Sequence, residues 1–126
     1  MTPQANAQSA YAMLSTPTRT PRGIEYAAFS RATSRLRAAA DTPGASGRID
    51  LARAVHENRR LWTALAADVA DAGNGLPQRL RAQLFWLSDF TDRHSRRVLD
   101  EGADPAVLVE INTSVMRGLA GDGGAP

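Results

Sequence analysis

The sequence predicts an all-α protein, a single-domain bundle of four principal helices preceded by a short N-terminal helix. Its length of 126 residues fits one domain. Apolar residues recur at helical spacing in four segments, and proline and glycine separate these segments by short connections. No stretch alternates apolar and polar residues for long enough to predict a strand. Short connections favour antiparallel neighbours in such a bundle.

Turn and capping residues give the expected bounds of the helices, since proline often opens a helix and glycine often follows its last turn. The short N-terminal helix is expected over residues 5–14, where it would present Tyr11 and Leu14. The principal helices are expected over residues 21–40, 49–72, 77–101 and 105–119. Residues 1–120 are accordingly predicted to form one helical domain, and residues 121–126 a disordered tail.

The first two principal helices each show one apolar face. Thr20 and Pro21 have the residue types of an N-cap and a first helical position. The apolar face of the first helix contains Phe29, Ala32, Leu36 and Ala39. Residues 41–47 are expected to form a loop, after which the second helix aligns Leu51, Val55, Trp62, Leu65 and Val69. Gly73-Asn74-Gly75 then predicts a turn.

The last two principal helices are bounded by equally clear signals. Pro77 opens the third helix and Gly102 is expected to end it. Its apolar face contains Leu76, Leu80, Leu84, Leu87 and Val98, with Phe90 at the edge. Asp104 and Pro105 are expected to cap the fourth helix, whose face contains Leu108, Val115 and Leu119, flanked by Ile111 and Met116.

The composition excludes several kinds of site. The chain has no cysteine, which rules out disulfides, thiolate nucleophiles and cysteine metal ligands. It also has no lysine, so all 15 basic residues are arginine, and the net charge is only +2. Acidic residues lie among the arginines, which favours a solvated surface over a nucleic-acid interface. No apolar run is long enough for a membrane span or a secretion signal, so we expect a cytoplasmic protein.

Catalytic chemistry has little support in the sequence. His56-Glu57 begins like the metal-binding helix of zinc proteases, but Arg60 stands where the second histidine is required. His94 lies on an apolar face, where a hydrogen-bonded and partly buried imidazole is the favoured interpretation over a ligand. No nucleophile, base and orienting group can be assembled. We therefore expect no enzyme, no cofactor and no metal.

Two asparagines interrupt apolar faces. Asn58 and Asn112 each lie near the centre of such a face. A buried amide costs about 1–3 kcal/mol when it is unpaired, so both require partners. The favoured interpretation is structural: they bond each other, a loop carbonyl or water, and they fix how the helices align. A role in binding a ligand stays open.

The large aromatic residues divide into two kinds. Trp62 lies at the centre of its apolar face and is expected in the core. Phe85 projects roughly opposite the apolar face of its helix, and Trp86 about 100° from it. Two interpretations of this pair stay equally open. The short N-terminal helix covers both residues, or they line an exposed groove that takes an amphipathic helix from a partner.

A series of short motifs resembles one protein family, the flagellar biosynthesis regulator FlaF family. The motifs include Thr20-Pro21-Arg22, Glu25-Tyr26, Phe29, Asn58-Arg59-Arg60-Leu61-Trp62, Asp68, Gly73-Asn74, Leu76-Pro77, Leu80-Arg81-Ala82, Leu87-Ser88, Ile111-Asn112 and Met116-Arg117-Gly118-Leu119. The resemblance spans about residues 8–119. Their order and spacing carry the resemblance, because each motif alone is weak. The chain departs from the pattern at Phe85-Trp86-Leu87, where the family is expected to be more aliphatic.

The resemblance implies a small helical protein required for normal flagellin production and secretion. It also implies opposition to FlbT, a regulator that acts on flagellin mRNA. The terminal segments of flagellin are amphipathic and disordered in the monomer, and a helical groove could mask them until export. We therefore expect a flagellin-binding secretion chaperone, with FlbT as a further candidate partner. The alternative is a regulator that acts on flagellin mRNA directly or through FlbT.

The expected partner-binding surface combines aromatic residues with nearby arginines. Phe85 and Trp86 would supply apolar anchors, while the arginines would set the partner's orientation. Trp62 is included although burial in the core explains it well. The full set is Arg59, Arg60, Trp62, Arg81, Phe85 and Trp86.

Overall fold

A computed structural model describes residues 21–71 and 73–121 of the chain. The predicted short N-terminal helix over residues 5–14 lies outside the described residues. So does the predicted disordered tail, except that Gly121 is the last residue of the fourth helix.

Four α-helices make up the described part of the chain, which contains no strand. They are α1 (Pro21–Ala40), α2 (Gly44–Ala70), α3 (Gln78–Glu101) and α4 (Ala106–Gly121). The prediction of an all-α single domain with four principal helices is confirmed. The predicted ends of the helices agree with the observed ends to within about two residues, except at the start of α2.

The second helix begins at Gly44, whereas the sequence placed a loop up to residue 47. Gly44 adopts φ +81°, which an L side chain rarely tolerates, and this residue turns the chain into the helix. Gly47 is buried, and a Cβ there would lie 1.8 Å from the carbonyl oxygen of Thr42. This first turn packs its backbone closely without a large apolar side chain, so it gives no apolar periodicity from which to predict a helix.

Glycine and aspartate set the chain direction between α3 and α4. Gly102 ends α3 with φ +71°, in the left-handed conformation expected of a glycine at this position. The carboxylate of Asp104 then accepts a hydrogen bond of 2.9 Å from the backbone N–H of Ala106. The predicted capping role of Asp104 is therefore confirmed.

The helices form a cyclic arrangement in which α1 packs on α2 and α4, and α3 packs on α2. The packing between α3 and α4 is the least extensive of the four interfaces. Two apolar clusters fill the interior at two levels along the bundle axis. One contains Phe29, Trp62, Leu65, Val69, Leu84 and Val115. The other contains Leu36, Ala39, Ala54, Val55, Val98 and Leu108.

A chain of side-chain hydrogen bonds crosses the first level of the core. The indole Nε1 of Trp62 donates to Oδ1 of Asn112 over 2.9 Å. The amide Nδ2 of Asn112 donates in turn to Oδ1 of Asn58 over 2.8 Å. All three residues are almost fully buried. The structural interpretation of the two asparagines is thus confirmed, since they bond each other and tie α2 to α4.

The chain of bonds has one possible direction. An indole N–H can only donate, so Asn112 must present its oxygen to Trp62 and its nitrogen to Asn58. The nitrogen of Asn58 is left at the end of the chain, and among the described residues it has no acceptor. The hydroxyl of Thr91, which is also buried, lacks a partner in the same part of the structure.

Trp62 is expected to contribute strongly to stability. It is 2% exposed, and its ring meets Phe29 edge to face with centroids 5.3 Å apart. Trp62→Ala should lower the free energy of unfolding by about 3–5 kcal/mol, measured by urea denaturation. Trp86→Ala is the matched control, because Trp86 is 64% exposed and its loss should change stability little. A near-neutral Trp62→Ala would contradict the placement of Trp62 in the core.

Thr91 offers a test of its unpaired hydroxyl. Thr91→Val exchanges that hydroxyl for a methyl group of similar size, so the free energy of unfolding should rise by about 1 kcal/mol. The matched control is Thr33→Val, because the equally buried hydroxyl of Thr33 donates to the carbonyl of Phe29. That change should lower the free energy of unfolding by a similar amount. If both variants are destabilised alike, the hydroxyl of Thr91 has a partner in solution.

Candidate partner-binding groove

The first thirteen residues of α3 expose three large aromatic side chains. Phe85 is 54% exposed, Trp86 is 64% exposed and Phe90 is 38% exposed. We call these three residues the α3 aromatic surface. The rings of Trp86 and Phe90 stack with centroids 5.8 Å apart, so part of their apolar area is shielded by each other. The pattern of the sequence predicted correctly that Phe85 and Trp86 point away from the core.

A groove between α2 and α3 borders the α3 aromatic surface. Its volume is about 490 Å³. Apart from the large aromatics, many of its lining residues have small side chains, which let another backbone approach closely. The lining residues are Arg59, Trp62, Thr63, Ala66, Ala82, Phe85, Trp86, Ser88, Asp89, Thr91 and Asp92. Four of the six residues predicted to bind a partner therefore lie together, namely Arg59, Trp62, Phe85 and Trp86.

Charged groups along the rim of this groove are already paired. The guanidinium of Arg59 donates two hydrogen bonds to one carboxylate oxygen of Asp92, at 3.1 and 2.8 Å. The other carboxylate oxygen of Asp92 accepts a bond of 2.8 Å from Arg96. Asp89 pairs with Arg93 at 2.8 Å, one helical turn further along α3. The pair of Arg59 and Asp92 in this network joins α2 to α3 beside the groove.

Trp62 contributes to the groove from beneath. Its side chain is buried, and the hydroxyl of Ser88 lies 3.5 Å from its backbone carbonyl, within hydrogen-bonding distance. Trp62 therefore supports the inner wall of the groove and belongs mainly to the core, as its position in the sequence indicated.

Arg60 lies apart from the groove between α2 and α3. It borders a shallow furrow of about 260 Å³ between α1 and α2, together with Arg35 and Glu57. Consecutive helical residues point about 100° apart, so Arg59 and Arg60 face different neighbours. A partner bound in the groove between α2 and α3 would contact Arg59 but not Arg60, which lies at the furrow between α1 and α2.

Arg81 is engaged at the end of α2. Its Nε donates to the carbonyl of Val69 at 2.8 Å, and a terminal nitrogen donates to the carbonyl of Asp71 at 3.2 Å. These carbonyls belong to the last turn and C-cap of α2, which have no partners further along the helix. The turn itself is fixed by Asn74, whose side chain bonds Asp68. Arg81 thus stabilises the end of α2 and the turn after it, a role that its spacing in the sequence did not predict.

Sequence reasoning missed the small residues of the groove and the third aromatic residue. Ala66 and Ala82 line the groove, but alanine is the commonest residue of the chain and gives no distinguishing signal. Phe90 was predicted at the edge of an apolar face, and its 38% exposure agrees with that position. The ladder of aromatic residues at positions 86, 90 and 94 was visible in the sequence as a spacing of four.

His94 ends this ladder inside the bundle. Its ring lies 6.1 Å from that of Phe90 and nearly parallel to it. Its Nε2 is 2.9 Å from the carbonyl oxygen of Asp104, and the residue is buried. The expected hydrogen-bonded, partly buried histidine is confirmed. Across the described residues, no three side chains of histidine, aspartate or glutamate gather in a way that could hold a metal ion.

Comparison with protein families extends the resemblance seen in the sequence. A family model described as flagellar protein FlaF matches residues 7–119, almost the whole chain. The chain belongs to the FlaF family. No curated protein and no solved structure matches this FlaF family member. Membership links the protein to flagellar biology, and none of its described helices is long and apolar enough to cross a membrane.

The contacts of Arg81 generate a stability prediction for this FlaF family member. Arg81→Gln removes the bonds to the carbonyls at the end of α2, so the free energy of unfolding should fall by about 1–2 kcal/mol. Arg79→Gln is the matched control, because it makes the same charge change at an exposed position on the same helix. Urea denaturation of both variants measures the difference. Equal stabilities of the two variants would show that the bonds of Arg81 contribute nothing.

Proposed function

We propose that this FlaF family member is a flagellin-binding secretion chaperone that acts in the cytoplasm and thereby influences flagellin synthesis. The observation that carries the proposal is the exposure of Phe85 and Trp86 beside a groove between two helices. We propose a binding role without catalysis, since the groove offers aromatic and small side chains and already paired charges.

The energetics of the aromatic side chains favour a protein partner. Burying a large apolar side chain contributes about 1.5–3 kcal/mol. Exposed aromatics that are grouped together are unusual on a monomer and are typical of interaction sites. Tryptophan is also among the residues that most often dominate binding energy at an interface. The α3 aromatic surface therefore provides the anchors that a tight protein complex needs.

The shape of the groove favours a helical segment as the ligand. Two helices form its walls, and the small side chains of Thr63, Ala66 and Ala82 are among its lining. An amphipathic helix can lay its apolar face into such a groove with anchors three or four residues apart. The terminal segments of flagellin, as implied by the family resemblance, supply amphipathic chains that must be masked before assembly. Their folding on the groove would couple binding to ordering.

The rim charges are suited to orienting a partner more than to attracting it. Because Arg59 and Asp92 bind each other, a partner gains little by pairing with either alone. Affinity should therefore depend mainly on the apolar anchors and only weakly on ionic strength.

The alternative function is regulation through flagellin mRNA, directly or through FlbT. RNA binding needs arginines that are available to phosphates, and its affinity falls steeply as salt rises. Several described arginines are instead occupied within the chain. Arg35 pairs with Glu57, Arg97 pairs with Glu101, and Arg81 binds backbone carbonyls. These contacts favour the chaperone hypothesis over direct RNA binding.

A substitution at the centre of the α3 aromatic surface tests the proposed function. Trp86→Ala should raise the Kd for monomeric flagellin by about 30-fold, equivalent to about 2 kcal/mol, because it removes an aromatic anchor. Isothermal titration calorimetry measures the affinity, and circular dichroism should show unchanged helicity. The matched control is Leu99→Ala, since Leu99 is also exposed on α3 but lies about two helical turns beyond Asp92, the last α3 residue of the groove.

The same titration at two salt concentrations separates the two functions. The affinity of the unsubstituted protein for flagellin should change little between about 50 and 200 mM salt. Over the same range, the affinity of a protein for RNA through several phosphate contacts would fall about 10³-fold or more. Absence of flagellin binding, together with salt-sensitive binding to the flagellin transcript, would overturn the chaperone proposal in favour of the alternative.

A further inference from the structure

A row of exposed side chains runs along the outside of α3. Its members are seven residues apart, which is close to two helical turns, so they lie in line along the helix. They are Arg79, Trp86, Arg93 and Asp100, and all four are exposed. We call these four residues the α3 outer row.

The α3 outer row points away from the bundle. Leu84, Thr91 and Val98 are buried and are also seven residues apart. Each is followed two residues later by a member of the row, and two residues turn a helix by about 200°. The row therefore lies nearly opposite the side of α3 that faces the core. Among the described helices, α3 packs only on α2 and α4, and these leave the row open to another molecule.

The order of side chains in the row is complementary to its own reverse. From the start of α3, the row presents a cation, an aromatic ring, a second cation and an anion. Two antiparallel copies of α3 can be aligned about a point between residues 89 and 90. Arg79 of each copy then faces Asp100 of the other copy, and Trp86 of each copy faces Arg93 of the other. A twofold contact of this kind forms each pair twice.

Both pairs have favourable chemistry. A guanidinium over the face of an indole is attracted by the ring and shields its apolar area. Arg93 already pairs with Asp89 at 2.8 Å, but its side chain is 74% exposed, and a guanidinium can bind a carboxylate at its edge while its flat face lies on a ring. Arg79 and Asp100 have no ion-pair partner among the described residues, so each has a charge to offer.

Other alignments of two α3 helices are less favourable. A parallel pair in register would place each arginine of the row opposite the same arginine of the second copy. An antiparallel pair moved by seven residues in either direction would place two arginines opposite each other, Arg79 against Arg93 or Arg93 against itself. Like charges that face each other across an interface are repulsive. The charges of the row therefore select one alignment.

We propose that the protein forms a twofold symmetric dimer through the α3 outer row, with the two copies of α3 antiparallel. The row is about 32 Å long at 1.5 Å per residue. One helix from each copy makes a small interface, so the dimer is weak and exchanges readily. The inference goes beyond the proposed function and does not depend on it. Trp86 also lines the groove between α2 and α3, so a flagellin segment bound against Trp86 would have to separate the two copies.

Analytical ultracentrifugation of the full-length chain tests the dimer. The mass should be near the 13.5 kDa of one chain at about 1 μM and should approach twice that value at about 500 μM. Trp86→Ala should raise the Kd of the dimer about tenfold, because it removes the ring from both Trp86–Arg93 pairs. The mass of a single chain at every concentration would overturn the inference. A Kd that Trp86→Ala leaves unchanged would overturn it too, because the copies would then meet through another face.

Reversal of charge tests the alignment. Arg79→Asp and Asp100→Arg each place like charges opposite each other twice, so each should raise the Kd about tenfold. The double variant Arg79→Asp/Asp100→Arg restores opposite charges at the same net charge as the unsubstituted chain and should dimerise as that chain does. The matched control is Asp41→Arg, which makes the same charge change at an exposed residue after α1 and should leave the Kd unchanged.

Circular dichroism checks that each variant keeps its helicity. The inference is overturned if neither single reversal changes the Kd, if the double variant dimerises as weakly as the single variants, or if Asp41→Arg weakens the dimer as much as Asp100→Arg does. Flagellin is absent from these measurements, so a failure of the proposed function would leave their result intact.

Discussion

The indole of Trp62 has one hydrogen-bond donor and no acceptor, and this constraint organises the polar side chains of the core. Its N–H requires an acceptor, which Asn112 provides at 2.9 Å. The amide of Asn112 then has only its nitrogen left to offer, which Asn58 receives at 2.8 Å. A shift of α4 along its axis would break both bonds at once and leave buried groups unpaired. The position of α4 against α2 is thereby fixed by these two hydrogen bonds as well as by apolar packing.

This fixed arrangement also determines what the outer face of the bundle presents. Trp62 faces the core and meets Phe29, while the carbonyl of the same residue lies beside Ser88 on α3. With α2 and α3 held together there and by the pair of Arg59 and Asp92, the side chains on the far side of α3 cannot turn inward. Phe85 and Trp86 are exposed for that reason. Their exposure follows from the rotation of α3 that buries its leucines.

The fold was largely predictable from the sequence because its signals are local. Helical spacing marked the faces that contain Phe29, Trp62, Leu84 and Leu108, and all four are buried. The first turn of α2 could not be predicted, since its close packing depends on a glycine against the backbone and not on apolar residues. The candidate groove was predictable only in part. Its aromatic members stood out by their position on the helix, whereas its alanines carried no signal.

Long side chains were the hardest to assign, because their contacts depend on how the helices pack. Arg59 and Arg60 are adjacent in sequence, but Arg59 lies at the groove between α2 and α3 and Arg60 at the furrow between α1 and α2. Arg81 was predicted to bind a partner, but its guanidinium binds the carbonyls at the end of α2. An arginine can reach carboxylates or carbonyls several residues away, so spacing along one helix does not determine its partner.

Nuclear magnetic resonance of the ¹⁵N-labelled protein, titrated with monomeric flagellin, decides whether flagellin binds the α3 aromatic surface. Monomeric flagellin should perturb the backbone amides of residues 82–92 on α3 and those of the α2 residues that line the groove, namely Arg59, Trp62, Thr63 and Ala66. Amides bordering the furrow between α1 and α2 should change little. Perturbations confined to that furrow or to α4, with the amides of α3 unchanged, would contradict the claim that the α3 aromatic surface receives flagellin.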